Sequence, residues 1–220
     1  MNQAPIWAMG IISLPAQMSS PSDNIHPVFE RMLQRDDKEA LLKHRGLAVW
    51  MAGLSGSGKT TIAVALEQLL HERGHITQLL DGDNIRAGIN RDLGFSEADR
   101  EENIRRIAEV TKLFVNCGII TINCFVSPTI ALRNKAKEII GSDDFIEVFI
   151  NTPFDICEQR DVKGLYKKAR AGEIKNFTGL DAPFEAPISD FTDITTADRS
   201  VEACAAQILQ TIEPRILFKS

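Results

Sequence analysis

Residues 47–60, which read LAVWMAGLSGSGKT, decide the fold of this chain. The first six residues are a continuous apolar run, which is typical of a parallel strand buried on both faces. The last eight match G-x-x-x-x-G-K-[ST], and a helix is predicted over residues 59–73. In such a strand, loop and helix, backbone N–H groups and the helix N-terminus surround phosphate oxygens. The stretch therefore predicts a nucleotide-binding phosphate loop.

Further strands are predicted at three short apolar runs near residues 76–80, 119–125 and 145–150. Apolar residues also recur at helical spacing over residues 104–114 and 201–212. Strands that alternate with helices imply right-handed crossovers. We therefore predict an α/β fold of the P-loop NTPase type, a doubly wound parallel sheet flanked by helices, with ligands beyond the carboxyl ends of the strands.

The composition is that of an ordinary globular protein. The 220 residues are 44% hydrophobic and 25% charged, with a formal net charge of −5. Nucleic-acid partners are not expected, because such proteins usually carry a basic surplus. The four cysteines show no C-x-x-C spacing and lie in or beside apolar stretches, so we predict reduced, buried thiols and a cytoplasmic location.

The N-terminal part is predicted to be an extension of the nucleotide-binding domain. We expect a tail followed by a helix within residues 1–45, the helix lying in residues 26–45, and a P-loop domain over residues 46–215. No Lys or Arg occurs before Arg31, and the early apolar stretch is too short to cross a membrane. Neither a signal peptide nor a membrane contact is therefore expected.

The phosphate loop supplies the predicted ATP-binding groups. Lys59 is expected to reach the outer phosphates and to act in catalysis, and Thr60 to hold Mg²⁺. The loop's glycines turn successive backbone N–H groups toward phosphate oxygens. Its ATP-binding members are Gly53, Ser55, Gly56, Ser57, Gly58, Lys59 and Thr60.

Two carboxylates follow the second predicted strand and separate a kinase from other P-loop proteins. In the sequence LLDGDN, Asp81 and Asp83 come where the strand runs out. One carboxylate there can orient or deprotonate an acceptor hydroxyl, and the other can support Mg²⁺. A guanine-reading N-K-x-D segment and an apolar run ending in Asp-Glu are both missing from the sequence. This pattern favours a small-molecule kinase over a GTPase switch or a motor ATPase.

Basic residues downstream indicate an anionic substrate and a lid. The guanidinium group matches phosphate or sulfate oxygens, and several arginines follow the carboxylates: Arg86, Arg91, Arg100, Arg105 and Arg106. Residues 160–175 carry six basic and two acidic side chains. This segment is either a solvated helix face or a mobile lid that excludes water, with Gly164 and Gly172 as bending points.

These segments together resemble the adenylylsulfate kinase (APS kinase) family. The similarity spans residues 46–198, and the matching strings stand in family order: GLSGSGKTT at 53–61, LDGDNIRAGIN at 80–90, DLGFS at 92–96, DREENIRRIAEV at 99–110, EQRDVKGLYKKARAGEIK at 158–175 and FTG at 177–179. The resemblance implies transfer of the γ-phosphoryl group of MgATP to the 3′-hydroxyl of adenylylsulfate. The products would be 3′-phosphoadenylylsulfate (PAPS) and ADP.

The resemblance also implies roles for individual residues. Asp83 would be the base or orienting group, supported by Asp81, and Thr61 and Arg160 would join the ATP site, with Arg160 near the base. The metal ligands would be Thr60 and Asp81. The substrate-binding set would be Asp83, Arg86, Phe95, Arg100, Asn103, Val126, Ser127, Lys163, Phe177 and Thr178. Within this set, Phe95 and Phe177 would grip the adenine.

Ser127 occupies a position for which a phosphoserine intermediate has been proposed in some family members. Direct in-line transfer needs no covalent step, and no base adjoins Ser127 in the sequence, so we interpret it as a wall of the substrate site. The chain departs from the family pattern nearby with Val126 and Thr129. It departs again near the lid with Asn176 and Phe184.

Two other functions are compatible with the phosphate loop: a kinase of another small anionic alcohol or nucleotide, and a nucleotide-binding regulatory module without turnover. Phe95 and Phe177, with the arginines, suit an anionic nucleotide. Lys59 and Lys163, with the two aspartates, favour an active enzyme. The family resemblance further implies a homodimer and an ATP sulfurylase on a separate chain.

Overall fold

The protein is built around a five-stranded parallel sheet. A computed structural model describes residue 26 and residues 28–218 of the chain. The strands are β1 (Leu47–Ala52), β2 (Thr77–Asp81), β3 (Ile120–Cys124), β4 (Phe145–Asn151) and β5 (Phe191–Thr195). Their order in the sheet is β2-β3-β1-β4-β5, and every pair is parallel. The doubly wound sheet predicted from the sequence is confirmed.

Helices cover both faces of the sheet. They are α1 (Arg35–Leu42), α2 (Lys59–Glu72), α3 (Gly82–Ala87), α4 (Glu97–Val115), α5 (Ile130–Ile140), α6 (Phe154–Arg160), α7 (Leu165–Arg170) and α8 (Val201–Ile216). The helix predicted after the phosphate loop corresponds to α2, and the two predicted from apolar spacing correspond to α4 and α8. No helix among the described residues is long and apolar enough to cross a membrane.

The central strand β1 separates two apolar cores. All six of its residues are buried, and successive side chains point to opposite faces. Leu47, Val49 and Met51 belong to the core that also contains α2 and α8. Ala48 and Trp50 belong to the core formed with α4 and α5. Burial on both faces explains why this strand is a continuous apolar run.

Helix α1 is attached to the body that follows it. The Arg35 guanidinium donates to Asp144 Oδ1 at 2.8 Å and to Gly46 O at 2.9 Å. The buried Glu39 carboxylate accepts from Gly46 N at 2.9 Å. Only part of the predicted 26–45 helix is therefore α-helical, and one compact unit begins at Leu33. The domain boundary at residue 46 stays a prediction, and the predicted tail lies outside the described residues.

The four cysteines differ in exposure. Cys124, Cys157 and Cys204 are buried and unpaired, as predicted. Cys117 is also unpaired but is exposed, so the prediction that it is a core residue is wrong. It lies two residues after the end of α4, in a turn where its own N–H and that of Gly118 bond back to helix carbonyls and the side chain faces solvent.

Candidate active site

The phosphate loop joins β1 to α2. Gly56 adopts a φ of +75°, a conformation that glycine adopts readily. A Cβ atom at this position would lie 2.8 Å from the carbonyl oxygen of Cys157. The loop therefore requires glycine here both for its conformation and for its close approach to α6.

Lys59 is held inside the loop. Its Nζ atom donates to Gly53 O at 2.8 Å, to Leu54 O at 2.6 Å and to Ser57 Oγ at 3.3 Å. Burial lowers the pKa of Lys59 to about 8, because removing the ammonium group from water disfavours its charged form. All three contacts are to the loop itself, so the charge lies where a bound phosphate chain would run.

The two carboxylates lie beside the loop at the carboxyl edge of the sheet. Asp81 ends β2 next to Cys124 at the end of β3. One of its oxygens accepts from Thr60 Oγ1 at 2.7 Å, and the other accepts from Asp83 N at 3.0 Å. The second bond caps the N-terminus of α3. Asp81 thus links the phosphate loop to Asp83, whose own side chain remains 69% exposed.

The basic segment predicted as a lid contacts both the Asp83 carboxylate and the phosphate loop. Lys163 Nζ forms an ion pair with Asp83. The Tyr166 hydroxyl donates to Ser55 O at 2.9 Å, and Asp161 caps α7 by accepting from Tyr166 N and Lys167 N. These contacts exclude a wholly solvated helix face for residues 160–175, and closure of the segment as a lid stays a prediction.

The predicted substrate arginines gather around the segment that contains Phe95. The Arg86 guanidinium lies 4.3 Å from the centre of the Phe95 ring and donates to Gly94 O at 2.8 Å. Arg100 donates to Phe95 O at 3.0 Å and to Thr178 Oγ1 at 2.9 Å. Arg100 therefore joins the Phe95 segment to the segment after the lid.

Phe177 lies on that second segment and packs against Tyr166. The two ring centres are 5.0 Å apart in an edge-to-face arrangement. Asn176 before it has a φ of +56°, which asparagine tolerates better than most residues. The Asp181 carboxylate accepts from both Asn176 N and Phe177 N. The departure at Asn176 therefore keeps a left-handed turn that presents Phe177.

Not every basic residue reaches this site. Arg105 pairs with Glu102, and Arg106 pairs with Asp92 and Glu102. Arg91 is exposed. These three arginines belong to the surface of α4 and its preceding loop, so only Arg86 and Arg100 of the predicted arginine group lie among the substrate-side residues.

Ser127 and Val126 form the wall at the end of β3. The buried Ser127 hydroxyl accepts from Trp50 Nε1 at 3.1 Å, and the residue has a φ of +42°. Val126 O accepts from Gly53 N at 3.5 Å. Ser127 has no carboxylate or imidazole among its hydrogen-bond partners in the described chain, and this supports the interpretation of its side chain as structural.

A buried arginine that the sequence did not single out holds this wall. Arg133 is 1% exposed and donates to Ser127 O and Glu185 O, both at 2.8 Å, while pairing with Glu147 at 2.6 Å. It therefore ties together three segments that are distant in sequence. A lone Arg in a helix carries no motif, so sequence reasoning had no signal for it.

A cavity of about 220 Å³ adjoins the phosphate loop. Arg160 lies there and donates to Gly56 O at 3.4 Å. The lining residues are Ser57, Gly58, Thr61, Ile62, Arg160, Thr196, Arg199, Val201 and Cys204. Sequence reasoning named Arg160 and Thr61 but missed Thr196 and Arg199, which follow β5, a strand that was itself not predicted.

Comparisons with known proteins agree with the family resemblance of the sequence motifs. The family model for adenylylsulphate kinase matches residues 45–194. An adenylyl-sulfate kinase of Bacteroides fragilis is 58% identical over 195 residues, which cover 89% of this chain and 96% of that protein. One from Clostridium acetobutylicum is 51% identical and covers 84% of this chain and 92% of that protein.

Solved structures agree with this similarity. The APS kinase of Mycobacterium tuberculosis, in complex with AMPPNP and APS, is 46% identical with a TM-score of 0.74, and the match covers 77% of this chain and 98% of that chain. A hexameric APS kinase from Thiobacillus denitrificans is 27% identical with a TM-score of 0.59. That match covers 78% of this chain and 29% of the other.

Proposed function

The chain belongs to the adenylylsulfate kinase family, and we propose that its carboxyl sheet edge transfers the γ-phosphoryl group of ATP to the 3′-hydroxyl of adenylylsulfate. The observation that carries this proposal is the position of Asp83. It is linked through Asp81 to Thr60 on the phosphate loop and through Lys163 to the lid. Arg86 and Arg100 supply positive charge for an anionic acceptor on the same side.

On the ATP side, the loop N–H groups and Lys59 bind the phosphates. Thr60 and Asp81 would hold Mg²⁺, directly or through water, since a hydroxyl and a carboxylate 2.7 Å apart offer the hard oxygen donors that this ion prefers. When bound, Mg²⁺ neutralises charge on the phosphate oxygens. Arg160, Thr61 and Arg199 line the cavity next to the loop. We assign this cavity to the nucleoside end of ATP.

On the acceptor side, the adenine lies between Phe95 and Phe177, because aromatic faces stack on a nucleobase. Arg86, Arg100 and Asn103 bind phosphosulfate and ribose oxygens, helped by Thr178. Ser127 and Val126 form the wall of the site. These assignments together select an acceptor that is both a nucleotide and an anion.

The reaction itself is an in-line displacement. The 3′-oxygen of the acceptor attacks the γ-phosphorus, and the bond from that phosphorus to the β–γ bridging oxygen breaks, so that ADP leaves with the electron pair. The hydroxyl proton passes to the Asp83 carboxylate. Lys59 and Lys163 stabilise the charge that spreads over the transferred oxygens. The lid excludes water, which would otherwise accept the phosphoryl group.

The test is ADP release by the purified protein with MgATP and a panel of acceptors. We expect turnover with adenylylsulfate, with PAPS as product, and none with AMP, adenosine, shikimate or gluconate. Turnover with another acceptor and none with adenylylsulfate would leave a kinase of another small alcohol. Nucleotide binding without any turnover would indicate a regulatory module.

We also propose a homodimer in a cytoplasmic setting, supplied with adenylylsulfate by an ATP sulfurylase on a separate chain. The unpaired cysteines support a reducing compartment. The hexameric relative supports self-association within the family. Light scattering at several protein concentrations tests the dimer: a monomer mass throughout would refute it.

A further inference from the structure

Two buried asparagines lie between the substrate-side residues. Asn90 follows α3 in a turn and is fully buried, and Asn103 on α4 is 6% exposed. Asn90 Nδ2 donates to Asn103 Oδ1 at 2.9 Å and approaches the main-chain oxygen of Asn103 at 3.5 Å. Backbone bonds fix Asn90 in its turn, since its N–H donates to Ile85 O and its carbonyl accepts from Leu93 N.

The main-chain contact determines how both amides are oriented. A carbonyl oxygen only accepts, so the Asn90 atom that faces Asn103 O must be the NH₂ group. The same NH₂ group also faces the side-chain amide of Asn103. That amide must therefore turn its Oδ1 atom toward Asn90 to accept the hydrogen bond. The Asn90 Oδ1 atom is buried without a donor from the described chain. The main-chain oxygen of Asn103 therefore sets the orientation of the Asn90 amide, and the Asn90 amide in turn sets that of the Asn103 side chain.

This orientation gives Asn103 a fixed polarity. Its Oδ1 is used by Asn90, so its Nδ2 group is the end that remains for a ligand, and that end is a donor. Arg100 lies three residues earlier on α4, where side chains share one helix face. Arg100 and Asn103 then offer donors only, which suits the oxygen atoms of a phosphosulfate and a ribose.

We propose that Asn90 is a positioning residue that acts through Asn103, and this inference rests on the proposed function. Without Asn90, the Asn103 amide can rotate and offer Oδ1 to an anionic oxygen, which is repulsive. Among the described residues, the side-chain hydrogen bonds of Asn90 go to Asn103 and to no predicted ATP-binding residue. Its effect should therefore fall on the acceptor and not on ATP.

The buried Asn90 Oδ1 supports a functional role for the residue. Leaving a buried acceptor without a donor destabilises the folded protein. An apolar residue of similar shape would avoid that cost. A residue kept only for the packing of this turn would not need to carry an unsatisfied amide oxygen.

The experiment compares Asn90→Leu, Asn103→Leu and the double variant with wild type, by steady-state kinetics in both substrates. We expect kcat/KM for adenylylsulfate to fall about tenfold in Asn90→Leu, mainly through KM, with the KM for ATP within about twofold. In the Asn103→Leu background, the second change should add less than about twofold, since the two residues then act as one unit.

Asn134→Leu, an exposed position on α5, is the matched control and should leave the kinetics unchanged. Asn90→Ala repeats the test if Asn90→Leu does not fold. Additive losses, equal losses in both substrates or an unchanged KM for adenylylsulfate would each overturn the role of Asn90. Wild-type protein without turnover on adenylylsulfate would instead refute the proposed function.

Discussion

Raising the pH should weaken ATP binding through a single group, Lys59. Burial lowers its pKa to about 8 in the free protein, whereas bound phosphate oxygens favour the charged ammonium group and raise that pKa. The complex therefore binds more protons than the free protein above pH 8, and affinity falls as the pH rises. If only the charged form binds phosphate, affinity at pH 9.5 is lower than at neutral pH by about 30-fold, or about 2 kcal/mol.

Isothermal titration calorimetry of MgATP in buffers of different ionisation enthalpy measures this directly. At pH 9 we expect binding to take up about 0.9 proton, and at pH 6.5 almost none from this group. Lys59→Met is the control: it should bind ATP weakly and take up no proton from this group at pH 9. Proton uptake that is equal in the variant and wild type, or an affinity that is constant from pH 7 to 9.5, would refute the assignment.

Three substitutions test the other roles. Asp83→Asn should lower kcat by about 100-fold or more and leave ATP affinity within about twofold, because the amide cannot accept the hydroxyl proton; near-normal turnover would remove Asp83 as the base. Phe177→Ala should raise the KM for adenylylsulfate by about tenfold through lost stacking, and an unchanged KM would contradict the adenine clamp. Ser127→Ala should retain turnover within about tenfold while leaving Trp50 Nε1 without its acceptor, which lowers the free energy of unfolding by about 1–3 kcal/mol; loss of turnover in folded protein would support a phosphoserine route.

The sheet could be predicted from the sequence wherever strands are buried on both faces. β1 lies at the centre of the sheet and is a continuous apolar run, so the sequence predicts it directly. β5 is not predicted because Ile194 is its one buried residue, so its sequence, FTDIT, carries a weak signal. β2 lies at the opposite edge of the sheet but is less exposed and keeps a short apolar run, which predicts it.

The site was predictable where its residues are neighbours in the chain. The phosphate loop and the strand-end carboxylates are local patterns whose spacing reflects one turn or one strand end. Arg133 bonds to segments far away in sequence, and Arg199 lines a cavity together with the distant phosphate loop. No local pattern encodes either arrangement. The pairing of Asn90 with Asn103 is of the same kind, because the turn after α3 must first fold onto α4.

Two buried polar groups of the site lower the stability of the free protein. Lys59 is a buried ammonium group with a lowered pKa, and Asn90 carries a buried oxygen without a donor. Each destabilises the free protein relative to an apolar residue of similar shape. Two apolar cores on either side of the sheet offset that cost. Ligand binding relieves the first of these costs directly, because phosphate oxygens pair with the Lys59 ammonium group. The Asn90 oxygen keeps its cost, and Asn90 acts on the acceptor only through the Asn103 donor that it orients. ATP binding should therefore stabilise the protein more than contact area alone would predict.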